Sequence, residues 1–390
     1  MEQNQTKKAL PILFLVMFLV MLGFGIIIPV LPFFAQSFGA TSTQLGFLMA
    51  VYSVMQFLFA PVWGGISDRI GRKPVMLIGI LGLALSFFAF SMAGQLWELF
   101  AIRIVAGILS SANMPTVTAY VADITTPENR GKGMGMIGAA VGLGFIFGPA
   151  VGGIASKSSY SLPFLIAGIS SAVTFLFVLF VLKESHTPDK RGKSAAKQSR
   201  WSAFGGSLSV IYIMNFVVSV SMAGLETTFA YFGADKAGLD TVHLGYIFMI
   251  MGFAGALVQG GLIGRLIKKF GEGAVIQMGL VISAIGFGLI LLTSSFWTAA
   301  LYLSIFGIGN GFMRPSVTAL ISKRTTAGQG SASGLLSSFD SLGRIIGPVV
   351  GGALYAAGKG LPYISGVILS AVALALYYVF AGRDRSKATA

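Results

Sequence analysis

The chain has 390 residues, of which 55% are hydrophobic, 12% aromatic and only 10% charged, against roughly 25% charged in a soluble globular domain. Its mean hydropathy is +0.83, and the apolar residues fall in blocks of about 20, the length that crosses a bilayer as a helix. Without cysteine there can be no disulfide, thiolate metal site or thiol catalysis. The two histidines, His186 and His243, lie far apart in predicted loops, against a histidine metal site or triad.

An all-α membrane protein of twelve spans follows, taken in chain order as 10–35, 44–66, 74–93, 96–119, 132–155, 161–182, 205–233, 243–264, 273–293, 296–321, 329–357 and 361–381. The first begins after Lys7 and Lys8, as a secretory signal would. Its apolar run exceeds the 7–15 residues of a signal, and Pro29 and Pro32 interrupt its far end, so it reads as a retained span. Counted on alternating sides, 21 of the 27 Lys and Arg fall on the side of both termini. The opposite loops hold Lys157, Lys236 and Lys359. Cationic loops resist translocation, which puts both termini in the cytoplasm. The net charge of +14 is thus a topology signal with some attraction to anionic lipid, and no partnership with nucleic acid is implied.

Lys183–Arg200 is the longest polar stretch and divides the spans six and six. The expected organisation is a bundle over 1–183, a cytoplasmic linker over 184–204 and a second bundle over 205–390. The halves repeat one another. PTVTAY (Pro115–Tyr120) matches PSVTAL (Pro315–Leu320), and GPAVGG (Gly148–Gly153) matches GPVVGG (Gly347–Gly352), at offsets of 200 and 199 residues. Two pseudo-symmetric bundles can rock about a central site, the architecture of alternating access.

Between the second and third spans lies GGISDRIGRK (Gly64–Lys73), whose glycines permit a tight turn and whose Asp68 stands among Arg69, Arg72 and Lys73. By composition alone this is a positive-inside loop. Its ordered spacing resembles the signature loop of the major facilitator superfamily, and GGLIGRLIKKFG (Gly260–Gly271) is a weakened repeat with Gly264 in the place of Asp68. LGFGIIIPVLP (Leu22–Pro32) in the first span and GLGFIFGPAVGG (Gly142–Gly153) in the fifth resemble motifs of the twelve-span drug:proton antiporters. The resemblance covers the whole chain and is nearest to bacterial multidrug, quinolone and tetracycline exporters. It implies a conformational latch of Gly64, Asp68, Arg69, Arg72 and Asp123, with Asp68 and Arg72 securing the outward-facing state and Asp123 as their partner. It also implies an antiporter motif of Gly144, Gly148, Pro149, Gly152 and Gly153. Glycine-mediated packing accounts for the same residues on physical grounds.

Five ionisable residues lie within spans: Arg103, Glu226, Arg314, Asp340 and Arg344. At bilayer depth each costs about 2.5–3.5 kcal/mol on insertion scales and marks a functional position. The helical neighbours of Glu226 are Met222, Ala223, Phe229 and Ala230, all apolar. A carboxylate without a local cation suits proton uptake and release, whereas an arginine on another helix would neutralise it. In quinolone and multidrug exporters a glutamate followed by threonine or serine stands here, which favours the proton carrier. Asp340 and Arg344 share one helix face four residues apart. Either they neutralise each other, or Asp340 replaces the aspartate that such exporters carry three residues before the tenth-span arginine, where this chain has Gly311. By resemblance Arg103, in RIVAG (Arg103–Gly107), joins proton coupling, while Gln56 and Arg314 match cavity positions. For each of these three an interhelical structural hydrogen bond is the alternative. Phe229 and Tyr231 flank Glu226 and are expected to line the cavity with it.

The expectation is a multi-pass, monomeric proton-coupled antiporter in the bacterial cytoplasmic membrane that exports amphipathic small molecules and confers antibiotic resistance. Proton-coupled efflux of one metabolite, such as a sugar, is a rival within transport. A membrane-embedded enzyme is the rival from another class, but no nucleophile–base pair or metal cluster is visible. The phosphate-cradling loop of ATP-driven transport is missing, and no cofactor is called for.

Overall fold

A bilayer offers no hydrogen-bonding partner to exposed main-chain groups, so a spanning chain must satisfy them within helices. The computed structural model describes residues 2–186, 204, 208–325 and 328–388, and every regular element among them is helical. The helices are α1 (Glu2–Ser37), α2 (Ser42–Ile70), α3 (Arg72–Met92), α4 (Leu96–Ser110), α5 (Asn113–Ile124), α6 (Pro127–Ala155) and α7 (Ser161–Val181). After the polar stretch come α8 (Leu208–Ala237), α9 (Thr241–Leu257), a π-helical turn (Val258–Leu262), α10 (Ile263–Ile290), α11 (Phe296–Arg324), α12 (Gln329–Ala357) and α13 (Leu361–Ala388). Among the described residues the expected spans fall on helix, the fourth with a break at 111–112, while 205–207 at the start of the seventh lie outside the described residues. Among the described residues, ten helical stretches are long and apolar enough to cross a membrane. One of these, Thr241–Ile290, runs to 50 residues and holds two expected spans. Most of the expected linker, from 187 to 203, lies outside the described residues.

Local chemistry sets the boundaries, and it does so twice. Gly71, with φ of 112°, separates α2 from α3, while Gly271, with φ of 80°, bends α10 at the corresponding place. Only glycine adopts such angles without strain. Glu98 reaches back to the main-chain N–H groups of Gly94 and Gln95 at the start of α4, and Thr298 does the same for Ser294 and Ser295 at the start of α11. The fourth span breaks at Ser111–Ala112, one turn before Pro115, whose ring clashes with the preceding turn. α11 runs unbroken through Pro315.

The described residues form two compact units. One takes Met1–Ala40, Val51–Ala196 and Thr241–Met249; the other takes Thr41–Ala50, Lys197–Asp240 and Ile250–Ala390. The short exchanged segments, the first turns of α2 and α9, follow from glycine contacts. A Cβ on Gly153 of α6 would lie 2.5 Å from the carbonyl oxygen of Thr241, and one on Gly352 of α12 would lie 2.3 Å from that of Ser42. Within the first unit α6 meets α1 backbone to backbone: a Cβ on Gly148 would come within 2.6 Å of the Leu22 oxygen, and one on Gly152 within 2.6 Å of the Ile26 oxygen. In the second unit Gly347 and Gly351 press α12 equally closely on Val220 and Gly224 of α8. The core of that unit gathers Ile211, Tyr212, Ile276, Leu280, Met313, Val317, Ala373 and Phe380 from α8, α10, α11 and α13.

Candidate functional site

In the first unit, the turn at Gly71 delivers Arg72 to two carboxylates. Its Nη1 donates to Asp68 Oδ1 at 2.6 Å and its Nε to Asp123 Oδ2 at 3.1 Å. Nη1 also donates to Ser67 Oγ at 2.9 Å, and the arginine side chain is only 8% exposed. The expected latch residues Asp68, Arg72 and Asp123 are therefore together. Arg69 is exposed, and Gly64 leaves α2 open to Pro115 of α5. In the second unit, Lys323 Nζ lies 3.3 Å from Glu272 Oε1. These two residues stand 200 positions after Asp123 and Arg72 with the charges reversed.

Deeper in the first unit, Arg103 on α4 is 2% exposed. Its guanidinium lies over the Tyr52 ring, 5.1 Å from the centroid, and 6.0 Å from that of Phe90, a cation–π arrangement. The Tyr52 hydroxyl accepts from Gln56 Nε2 at 3.0 Å and lies 2.9 Å from Ser110 Oγ. Two expected functional residues, Arg103 and Gln56, thus meet through a tyrosine that sequence reasoning missed.

The second unit holds the two carboxylates expected within spans, Glu226 on α8 and Asp340 on α12, in contrasting settings. Asp340 on α12 accepts from Asn215 Nδ2 at 3.0 Å and Ser219 Oγ at 2.5 Å, both on α8, and Arg314 Nη2 of α11 lies 3.5 Å from its other oxygen. The ion-pair partner of Asp340 is thus Arg314, and not Arg344, which the sequence offered as one of two alternatives. Arg344, on the same helix face, is near enough for electrostatic attraction, but the hydrogen bonds and the ion pair of the carboxylate go to α8 and α11. Glu226 is half-buried on α8, and among the described residues no side chain hydrogen-bonds or ion-pairs with it. Phe229 is completely buried, and Tyr231 is 8% exposed with its ring against Tyr355; both are packing residues here. Asn215 and Ser219 went unnoticed in the sequence, although two polar residues four apart in an apolar span form one polar stripe.

Gly144, Gly148, Pro149, Gly152 and Gly153 form the α6 face packed on α1 and on the first turn of α9. Among the described residues no group of three His, Asp or Glu is placed to hold a metal ion.

The profile of the Major Facilitator Superfamily matches residues 13–323 and 260–390. The chain is 32% identical to multidrug resistance protein 2 of Bacillus subtilis (strain 168) over 384 residues, covering 97% of this chain and 96% of that protein. It is 29% identical to the quinolone resistance protein NorA of Staphylococcus aureus (strain MSSA476) over 357 residues, 90% of each. Among solved structures, the human organic anion transporter MFSD10 (TETRAN) superposes with a TM-score of 0.72 at 26% identity, covering 95% of this chain and 99% of that one. The nucleoside transporter NupG reaches 0.78 at 15% identity, with 96% and 98% covered, and shares the fold. Family profile, full-length relatives and helical architecture agree: this chain is a multi-pass membrane transporter belonging to the Major Facilitator Superfamily.

Proposed function

We propose that this chain exports amphipathic, cationic or zwitterionic small molecules in exchange for protons, working by alternating access as a monomer in the bacterial cytoplasmic membrane. The bundles are 1–183 and 205–390, joined by a cytoplasmic linker over 184–204, with twelve spans and both termini in the cytoplasm. The names of the multidrug and quinolone resistance relatives support the substrate class. The observation that carries proton coupling is the contrast between the two carboxylates. Asp340 is neutralised by Arg314 and by two hydrogen-bond donors, whereas Glu226 has no partner among the described residues.

In this reading Glu226 is the proton carrier. Its carboxylate attracts the cationic group of a substrate, and protonation from outside releases it. Asp340, with Arg314 and Arg344, is a fixed counter-charge, Arg103, buried over Tyr52, takes part in proton coupling, and Gln56 is a cavity residue. Asp68, Arg72 and Asp123 form the latch of the transport cycle. The test is proton uptake on substrate release in proteoliposomes, comparing wild type with Glu226→Gln. The variant imitates the protonated acid, so gradient-driven efflux of a cationic dye is expected to vanish while the protein still folds. Unchanged proton coupling would move the carrier to Asp340.

A further inference from the structure

By composition, Lys183–His186 is merely the start of a linker, yet in the structure it is stitched into the latch. The Glu184 carboxylate accepts from the main-chain N–H of Arg72 at 2.9 Å through one oxygen and from that of Lys73 at 3.0 Å through the other. These are the first two residues of α3. A helix start leaves its N–H groups without intrahelical partners and carries partial positive charge, so a bridging carboxylate is matched to it in both respects. Gly71, at the cap position itself, makes no side-chain cap bond. Two further contacts fasten the segment, and a third fastens the end of α7 before it. Ser185 Oγ donates to Asp123 Oδ2 at 3.0 Å, the oxygen that also accepts from Arg72 Nε. The Tyr120 hydroxyl donates to the Lys183 carbonyl, and Lys73 Nζ donates to the Leu179 carbonyl at 2.7 Å.

We propose that Glu184 is a positioning residue for the latch. Arg72 is held at both ends, its main chain by Glu184 and its guanidinium by Asp68 and Asp123. Where the main chain sits decides whether one arginine can reach both carboxylates at once, and Glu184 fixes that point. The segment leaving α7 therefore communicates with the latch through hydrogen bonds to Arg72 and Asp123. This inference rests on the latch reading above. If Glu184 were only a helix cap, its loss would lower stability and leave the transport cycle alone.

The experiment measures gradient-driven efflux of a fluorescent cationic dye from proteoliposomes, with kcat, KM and melting temperature, for wild type, Asp68→Asn, Glu184→Gln and the double variant. A glutamine offers one oxygen where the carboxylate offers two. Each single variant is expected to lower kcat by about fivefold or more with KM little changed. The double variant should be no slower than Asp68→Asn alone, because both act through Arg72. Glu184→Asp, which keeps the charge but shortens the reach, should fall between Glu184→Gln and wild type. Wild-type turnover of Glu184→Gln beside an impaired Asp68→Asn overturns the proposal alone, as do losses that multiply in the double variant. Normal turnover of Asp68→Asn overturns the latch itself and the proposal with it. Loss of folded protein in both Glu184 variants would make the residue a structural cap, which likewise overturns it.

Discussion

Glu226 and Asp340 are both carboxylates within expected spans, and a magnitude separates what their substitution should do. Removing one partner of a fully buried ion pair costs about 3–5 kcal/mol, because the other charge is stranded. The Asp340 and Arg314 side chains are 33% and 38% exposed, so the loss lies nearer that of a surface pair, about 1 kcal/mol or less. Asp340→Asn should therefore fold at close to wild-type yield. It should retain proton uptake on substrate release but raise KM for cationic dyes, because the region loses a negative charge; loss of proton uptake with KM intact would make Asp340 the carrier. Glu226→Asp keeps the acid and moves it by one methylene. The expected result is partial efflux with a displaced pH optimum, read from initial rates across a pH series. Wild-type efflux and optimum would mean that the position of this acid is immaterial.

At the scale of elements, backbone contact between α1 and α6, and again between α8 and α12, leaves no room for side chains. Any Cβ at Gly148 or Gly347 would lie within about 2.6 Å of a carbonyl oxygen. Overpacking of this kind costs typically 1–3 kcal/mol, and main-chain atoms cannot swing aside as a side-chain tip can. Gly148→Val and Gly347→Val should each sharply reduce the yield of monodisperse protein in detergent. Gly142→Val should not, since a Cβ there meets nothing within 4 Å; equal yields for all three would remove close packing as the reason for these glycines. The helices themselves were legible because apolar run length fixes them. The partner of Asp340 was not, because Arg314 is 26 residues away and only the packing of α8, α11 and α12 brings the three donors to one carboxylate. Glu184 escaped notice for a related reason: its partners are main-chain N–H groups, which no residue pattern reveals.

For the molecule as a whole, the ion pairs of Arg72 and of Lys323 differ in burial as well as polarity. Arg72 is 8% exposed, while Lys323 is 69% exposed. Glu272 is 19% exposed, but the open lysine leaves the pair to solvent screening and a contribution of about 0–1 kcal/mol, so Lys323→Glu should leave the melting temperature nearly unchanged. Arg72→Glu sets a third negative charge against Asp68 and Asp123 and is expected to abolish efflux. Assaying both variants for dye efflux and thermal stability checks the contrast; equal losses in the two would show that burial does not rank them. The duplication was readable as PTVTAY and PSVTAL, but the reversed pair was hidden, since a repeat is sought as identity and here it survives as an exchange of charge.

That exchange bears on descent. No single substitution turns an arginine–aspartate pair into a glutamate–lysine pair; the exchange passes through one unpartnered charge or through two acids or two bases face to face. Two like charges 4 Å apart in water repel by about 1 kcal/mol, and a site as open as that of Lys323 lies close to this limit. A lineage that doubled one six-span ancestor could cross that step in the second half without losing the fold. In the first half, where Arg72 is enclosed by Ser67, Asp68 and Asp123, the same step would have stranded a charge away from solvent. Divergence is thus expected to have stayed open to the second pair long after it closed to the first, and sequences of more distant descendants should vary in sign at 272 and 323 while holding it at 72 and 123.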